Sequence, residues 1–226
     1  FKSSGMMLTC RKDMGVNSTD DLKGKTLGVW FYGNEYPFLS WMSRLGLATD
    51  GSADGVTVLK QGWGVEPLTE GQAACVSTMS YNEYWVVRDA GYSPEQLTVF
   101  KYQAEGASTL EDGLYVLEKN LGDSSFKDKM VRFVRASMKG WKYAEANPKE
   151  AASIILDNDD AGVQTEKHQV RMMGEIAKLT AGSNGALDPA DYQRTVKVLM
   201  SGASDPVITK EPSGAWTHDI TNAALN

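Results

Sequence analysis

Lys25-Thr26-Leu27-Gly28-Val29-Trp30-Phe31-Tyr32-Gly33-Asn34-Glu35-Tyr36-Pro37 is the stretch that decides the fold. Residues 26–31 form an apolar run bounded by Lys25 and Gly33. It is too short for a helix and rich in β-favouring residues, so it predicts a strand. Pro37 suits a first helical turn, and Phe38, Leu39, Met42 and Leu45 recur at helical spacing up to the stop at Gly46. Strand, polar-aromatic loop and helix in succession is the repeating unit of an α/β layer.

Working outward, the same alternation continues on both sides. Downstream, residues 56–59, 74–79 and 97–100 read as strands, with short helices over 67–72 and 82–90 between them. Upstream, residues 5–11 read as a buried strand emerging into the turn Lys12-Asp13-Met14-Gly15, and Ser18-Thr19-Asp20-Asp21 has the form of a capping box before one helical turn closed by Gly24. Strands separated by helices without tight hairpins predict a mostly parallel sheet. The second half differs. Gly113-Leu114-Tyr115-Val116-Leu117 reads as a last strand, and helices dominate from Ser125 onward. Phe126, Met130, Phe133, Val134, Ser137 and Trp141 form one stripe on a helix of about five turns. Asn147-Pro148 with Glu150 marks the next helix start, residues 165–179 another helix, and Asp188-Pro189-Ala190-Asp191 the start of a further one with Tyr192, Val196 and Leu199 on one side. A short helix is expected around 216–225.

The composition is that of an ordinary globular chain: 226 residues, 42% hydrophobic and 23% charged, with a formal charge of -6. No run of basic residues offers the patch that a phosphate backbone needs, so no nucleic-acid partner is expected. No apolar stretch approaches the roughly 20 residues of a membrane span, and residues 1–5 lack the charged-then-apolar order of a signal peptide, as in a processed, soluble chain. Two cysteines cannot make a disulfide-rich scaffold or a zinc site built from four cysteines, two histidines add little to the case for a metal, and no metal or cofactor is expected. Cys10 and Cys75 both lie in apolar runs, which leaves two readings open: small buried hydrophobes, or one disulfide in an exported protein. Asp157-Asn158-Asp159-Asp160-Ala161-Gly162 resembles a calcium loop only at first sight. Ala161 and His168 fall where oxygen ligands are needed, which leaves a solvated acidic turn. His168 reads as an exposed histidine in the middle of a helix among charged neighbours, and there is no dinucleotide fingerprint, P-loop or nucleophile elbow.

Two polar-aromatic loops follow strands and precede helices, where backbone N–H groups face the crevice in which α/β sheets bind ligands. One carries Trp30, Tyr32, Asn34 and Glu35; the other carries Ser77, Thr78, Tyr81, Asn82 and Glu83. Aromatic faces stack on flat rings while amides, hydroxyls and carboxylates set donors and acceptors around them, although Trp30 and Tyr81 serve equally well as core. The carboxylates of Glu35 and Glu83 favour a neutral or cationic ring over a sulfonate or nitrate.

Asp21-Leu22-Lys23-Gly24-Lys25-Thr26-Leu27-Gly28-Val29, Gly33-Asn34-Glu35-Tyr36-Pro37, Ser80-Tyr81-Asn82-Glu83-Tyr84 and Glu111-Asp112-Gly113-Leu114-Tyr115-Val116 together resemble ABC-transporter substrate-binding proteins of the thiamine-pyrimidine-synthase-like group, which is similar to the sulfonate, taurine and nitrate binders. The resemblance implies a type II periplasmic-binding-protein-like α/β fold, two lobes joined by crossover strands. It divides the chain into a crossover strand (1–11), the second lobe (12–101), and the return crossover with the C-terminal part of the first lobe (102–226). Members carry roughly a further 80 to 90 residues before the first crossover, about the size of a lobe's leading half, so the first lobe is expected to lack its N-terminal part. The resemblance also adds Glu105, on the return crossover, to the ligand-binding set. It implies a periplasmic, exported carrier that closes on a small aromatic or heteroaromatic nutrient such as a thiamine-precursor pyrimidine and hands it to an ABC permease. The enzymes of the group need a histidine and a cysteine-rich motif that this sequence lacks, so no catalysis is expected. A pyrimidine-biosynthesis enzyme and the ligand-sensing domain of a regulator are the alternatives.

Overall fold

The computed structural model describes residues 2–201 and 206–225. The chain divides into two compact units, one of Ser4–Thr109 with Gln193–Glu211, the other of Leu110–Tyr192 with Phe1–Ser3 and Pro212–Asn226.

The first of these is the sheet unit. Strands β1 (Met6–Arg11), β2 (Thr26–Val29), β3 (Thr57–Lys60), β4 (Cys75–Met79) and β5 (Leu97–Lys101) form one sheet in the order β3-β2-β4-β1-β5. β2 runs parallel to β3 and β4, while β1 lies antiparallel between β4 and β5. The parallel layer expected from the sequence is thus present, with β1 as its one reversed strand. The helices α1 (Glu35–Arg44), α2 (Glu66–Thr69) and α3 (Glu83–Asp89) connect the strands. Alternation along the strands sorts the side chains into two cores. Met6, Leu8, Cys10, Leu27, Val29, Cys75 and Phe100 pack with Phe38, Trp41 and Met42 of α1, and Val76 and Leu97 pack with Leu68 and Val87 on the other face. Trp41 lies at the centre of the larger core, its ring 5.5 Å from that of Phe100 and 5.7 Å from that of Tyr102. The Tyr102 ring is fully buried, and desolvation pushes its phenol well above the usual tyrosine range.

The open question of the cysteines is resolved by the register. Cys10 stands directly opposite Cys75 in the β1–β4 ladder, and the two form a disulfide. The capping box at Ser18 is present, with the Asp21 carboxylate accepting from the Ser18 N–H at 2.9 Å and closing a single 3-10 turn.

The second unit is helical: α4 (Ser124–Ala146), α5 (Pro148–Asp157), α6 (Glu166–Thr180) and α8 (Asp219–Leu225), with α7 (Pro189–Met200) beginning in it. Asp123 caps α4 by accepting from Ser125 N–H, and Thr165 caps α6 by accepting from His168 N–H, so His168 sits in a first turn and not in the middle of the helix. Arg135 of α4 donates to the Ala223 and Ala224 carbonyls at the end of α8, where a cation suits the helix dipole. One expectation fails. Residues 113–117 form no strand: Leu114 and Tyr115 are 62% and 88% exposed, and no neighbouring strand among the described residues offers a ladder. Strand propensity is realised on a pleated, half-buried surface, and this segment has none. The α4 stripe is likewise only partly covered, with Val134 buried but Phe133 and Trp141 exposed.

Candidate functional site

The C-terminal ends of β2, β3 and β4 lie side by side and form a crest on the sheet unit, the end at which α/β sheets bind ligands. β2 and β4 pair only through Leu27–Cys75 and Gly28–Val76, so the ladder runs out just before the crest and Ser77 must find other partners. Gln61, the first residue after β3, supplies them. Its side-chain amide donates to the Ser77 carbonyl at 3.0 Å and its carbonyl oxygen accepts from the Ser77 N–H at 2.8 Å, a two-bond mimic of strand pairing reaching across β2. Gly28 makes room for it, since a Cβ there would lie 3.2 Å from the Gln61 oxygen and 2.9 Å from Val76. The Ser77 hydroxyl completes the frame by donating to the Gly28 carbonyl and accepting from the Trp30 N–H.

Ser77 and Thr78 are therefore wholly buried framework; Thr78 shares a 2.7 Å hydroxyl contact with Thr9 on the opposite face. Trp30 is half-buried against the α1 core, and its indole N–H donates to the Gly62 carbonyl at 2.9 Å, tying the loop after β2 to the loop after β3. Tyr32 is different in kind. It is 91% exposed and held at φ +64°, a left-handed conformation that costs a bulky residue about 1–3 kcal/mol. The Lys60 ammonium lies 4.7 Å from the centre of its ring and 5.4 Å from that of Phe31.

The two carboxylates are both engaged at helix starts. Glu35 accepts from the Gly33 N–H at 2.7 Å, and the exposed Asn34 side chain donates to the Phe31 carbonyl at 3.4 Å. Glu83 accepts from the Met79 N–H at 2.9 Å and from the Asn82 amide at 2.7 Å. Burial pushes the Glu83 pKa up, opposed by those same hydrogen bonds, which favour the charged form. Tyr81 is half-buried in the turn between β4 and α3. Glu105 stands apart from these residues: its backbone carbonyl accepts from Arg44 at 2.6 Å, at the C-terminal end of α1 and so at the opposite end of that helix from Glu35.

Lys60, Gln61 and Trp63 were not anticipated. Trp63 is 96% exposed between Gly62 and Gly64. The sequence carries the signal, since Gln61-Gly62-Trp63-Gly64 follows a parallel strand just as the other two loops do. The crest thus combines a rigid hydrogen-bonded frame, two uncovered aromatic rings and one cation. Among the described residues no cluster of histidine, cysteine, aspartate and glutamate could hold a metal ion.

Comparison with known proteins speaks to the family and the fold. A family model described as NMT1/THI5 like matches residues 1–151, two thirds of the chain. A solved structure of a protein from Bordetella bronchiseptica RB50 superposes with a TM-score of 0.60 at 17% identity, covering 99% of this chain and 71% of that one. At that identity the likeness speaks to the fold, which is the periplasmic-binding-protein-like α/β fold. No curated protein matches.

Proposed function

We propose that this chain, which belongs to the NMT1/THI5-like family, is the solute-binding component of an ABC importer, capturing a small aromatic or heteroaromatic nutrient outside the cytoplasm and passing it to a permease. The observation that carries this reading is the crest: Tyr32 and Trp63 stand almost fully exposed on a frame stitched together by Gln61, Ser77 and Trp30. Large aromatics held in the open by a rigid scaffold favour stacking on a planar ring, and the surrounding amides and hydroxyls can fix its orientation. Pyrimidines of the thiamine-precursor type are the ring class to try first. No bond is made or broken in such a role. Among the described residues no helix is long and apolar enough to cross a membrane. The test is a thermal-shift screen of pyrimidines, other heteroaromatics, taurine and nitrate. A solute that binds the native state stabilises it by about 2.7 kcal/mol at 100 times its dissociation constant. Ring compounds are expected to stabilise the chain and taurine and nitrate to leave it unchanged; stabilisation by taurine or nitrate alone contradicts the reading.

A further inference from the structure

We infer that, given solute binding on this crest and against the preference for neutral or cationic rings that Glu35 and Glu83 suggest in the sequence, the solute carries an anionic group on its aromatic ring and Lys60 is the residue that reads the anion. Of the carboxylates on the crest, Glu66 lies exposed beside Gly64, whereas Glu35 and Glu83 are engaged at helix starts. Each oxygen of the Glu83 carboxylate already accepts a hydrogen bond, and Glu35 is turned onto the Gly33 N–H, so both negative charges are held by the protein's own donors. Lys60 has no such partner. Its ammonium makes no ion pair among the described residues and contacts only the faces of Phe31 and Tyr32 and, at 3.4 Å, the Tyr32 hydroxyl. Those contacts hold the ammonium in place without neutralising it, and an ammonium carries three N–H donors, of which Tyr32 engages one.

The backbone points the same way. Tyr32 is kept in a left-handed conformation although almost none of its ring is buried, so packing in the sheet unit does not account for the strain. The strained loop does place the ring beneath the Lys60 ammonium. On the adjoining loop Trp63 offers a bare indole face, and the Trp30 bond to the Gly62 carbonyl anchors that loop. A ring stacked on Trp63 recovers apolar area now exposed, while an acidic substituent meets the ammonium. Lysine acts as a point charge, so either a carboxylate or a phosphate monoester satisfies it.

The experiment is calorimetric titration of the full chain with matched probes on one ring: benzyl alcohol, benzoate and benzyl phosphate, and 5-hydroxymethylpyrimidine beside pyrimidine-5-carboxylate. The anionic members are expected to bind about ten-fold more tightly than the neutral ones, as one charge-assisted contact implies, with the ratio falling as salt is raised. Lys60→Met is expected to bring that ratio to about one, whereas Trp63→Ala weakens the neutral and anionic members alike. Benzoate against benzyl phosphate tells which anion the site prefers. Neutral rings binding as tightly as anionic ones, or an anion preference that survives in Lys60→Met, overturns the role of Lys60 while leaving ring binding intact. Failure of every ring compound to bind overturns the solute-binding reading itself.

Discussion

The sheet unit and the helical unit use their apolar residues in opposite ways. In the sheet unit Leu8, Val16, Leu22, Leu27, Val29, Phe38, Met42, Val56, Leu68 and Val76 have no exposure at all, and Trp41 has 2%. Among the described apolar residues of the helical unit, those that are buried are Val134, Ala151, Ala152 and Ala224, while Leu114, Tyr115, Leu117, Phe133, Trp141 and Ile154 face outward. Close-packed interiors feel every lost methylene, and half-exposed helix faces do not. The sheet unit is therefore the stable platform, and the large aromatics exposed on it, Tyr32 and Trp63, stand out against an otherwise sealed core.

The sharpest way to break this contrast is a pair of truncations. Trp41→Ala is expected to cost about 3–5 kcal/mol in chemical denaturation, and Phe133→Ala under about 1 kcal/mol. Equal losses would mean that the two units are packed alike. Next in size is the disulfide. Replacing Cys10 and Cys75 with alanine opens a loop spanning 65 positions and is expected to cost about 2–4 kcal/mol, visible as a lower melting temperature in the variant than in the oxidised parent. An unchanged midpoint would show that the β1–β4 ladder holds without it.

Smaller again is Gln61→Ala, which leaves the buried N–H and C=O of Ser77 unpaired at a cost of about 1–3 kcal/mol. Ring binding is expected to weaken with it, because the loops after β2 and β3 lose their brace; full affinity in a destabilised variant would separate the frame from the site. The smallest effect is a pH dependence. The Glu83 pKa is raised in the folded state, so the folded chain holds its proton more tightly than the unfolded chain does. Its contribution to stability is complete below the unfolded pKa and is lost as the pH rises through the folded one. The stability difference between the parent and Glu83→Gln is expected to move against the parent over that window, by less than about 1 kcal/mol, in denaturation curves collected from acid to neutral pH.

Most of the sheet unit was legible in the sequence because local signals agreed with the tertiary outcome. The run from Thr26 to Val29 is bounded by turn residues, α1 carries a clear stripe, and the Ser18 box closes on Asp21 as its spacing demands. The loops after β2 and β4 were legible for the same reason: strand ends announce them. The roles inside them were not. Whether Ser77 faces a ligand or completes a broken ladder depends on Gln61, sixteen residues away in sequence, and on the missing side chain at Gly28. Glu35 and Glu83 read as ligand groups by composition, yet each also suits a helix start, and only the fold shows both turned toward backbone N–H groups. The Leu114–Leu117 stretch misled because propensity describes a residue's fit to a sheet and says nothing of whether a neighbouring strand exists.

The central claim is that the sheet unit's crest holds the solute, and amide hydrogen exchange with and without the tightest-binding ring compound tests it most directly. The account predicts slowed exchange in three segments, 30–35, 60–64 and 77–83, with the helical faces bearing Phe133 and Ile154 unchanged. Protection confined to the helical unit, with those three segments exchanging as before, would contradict it.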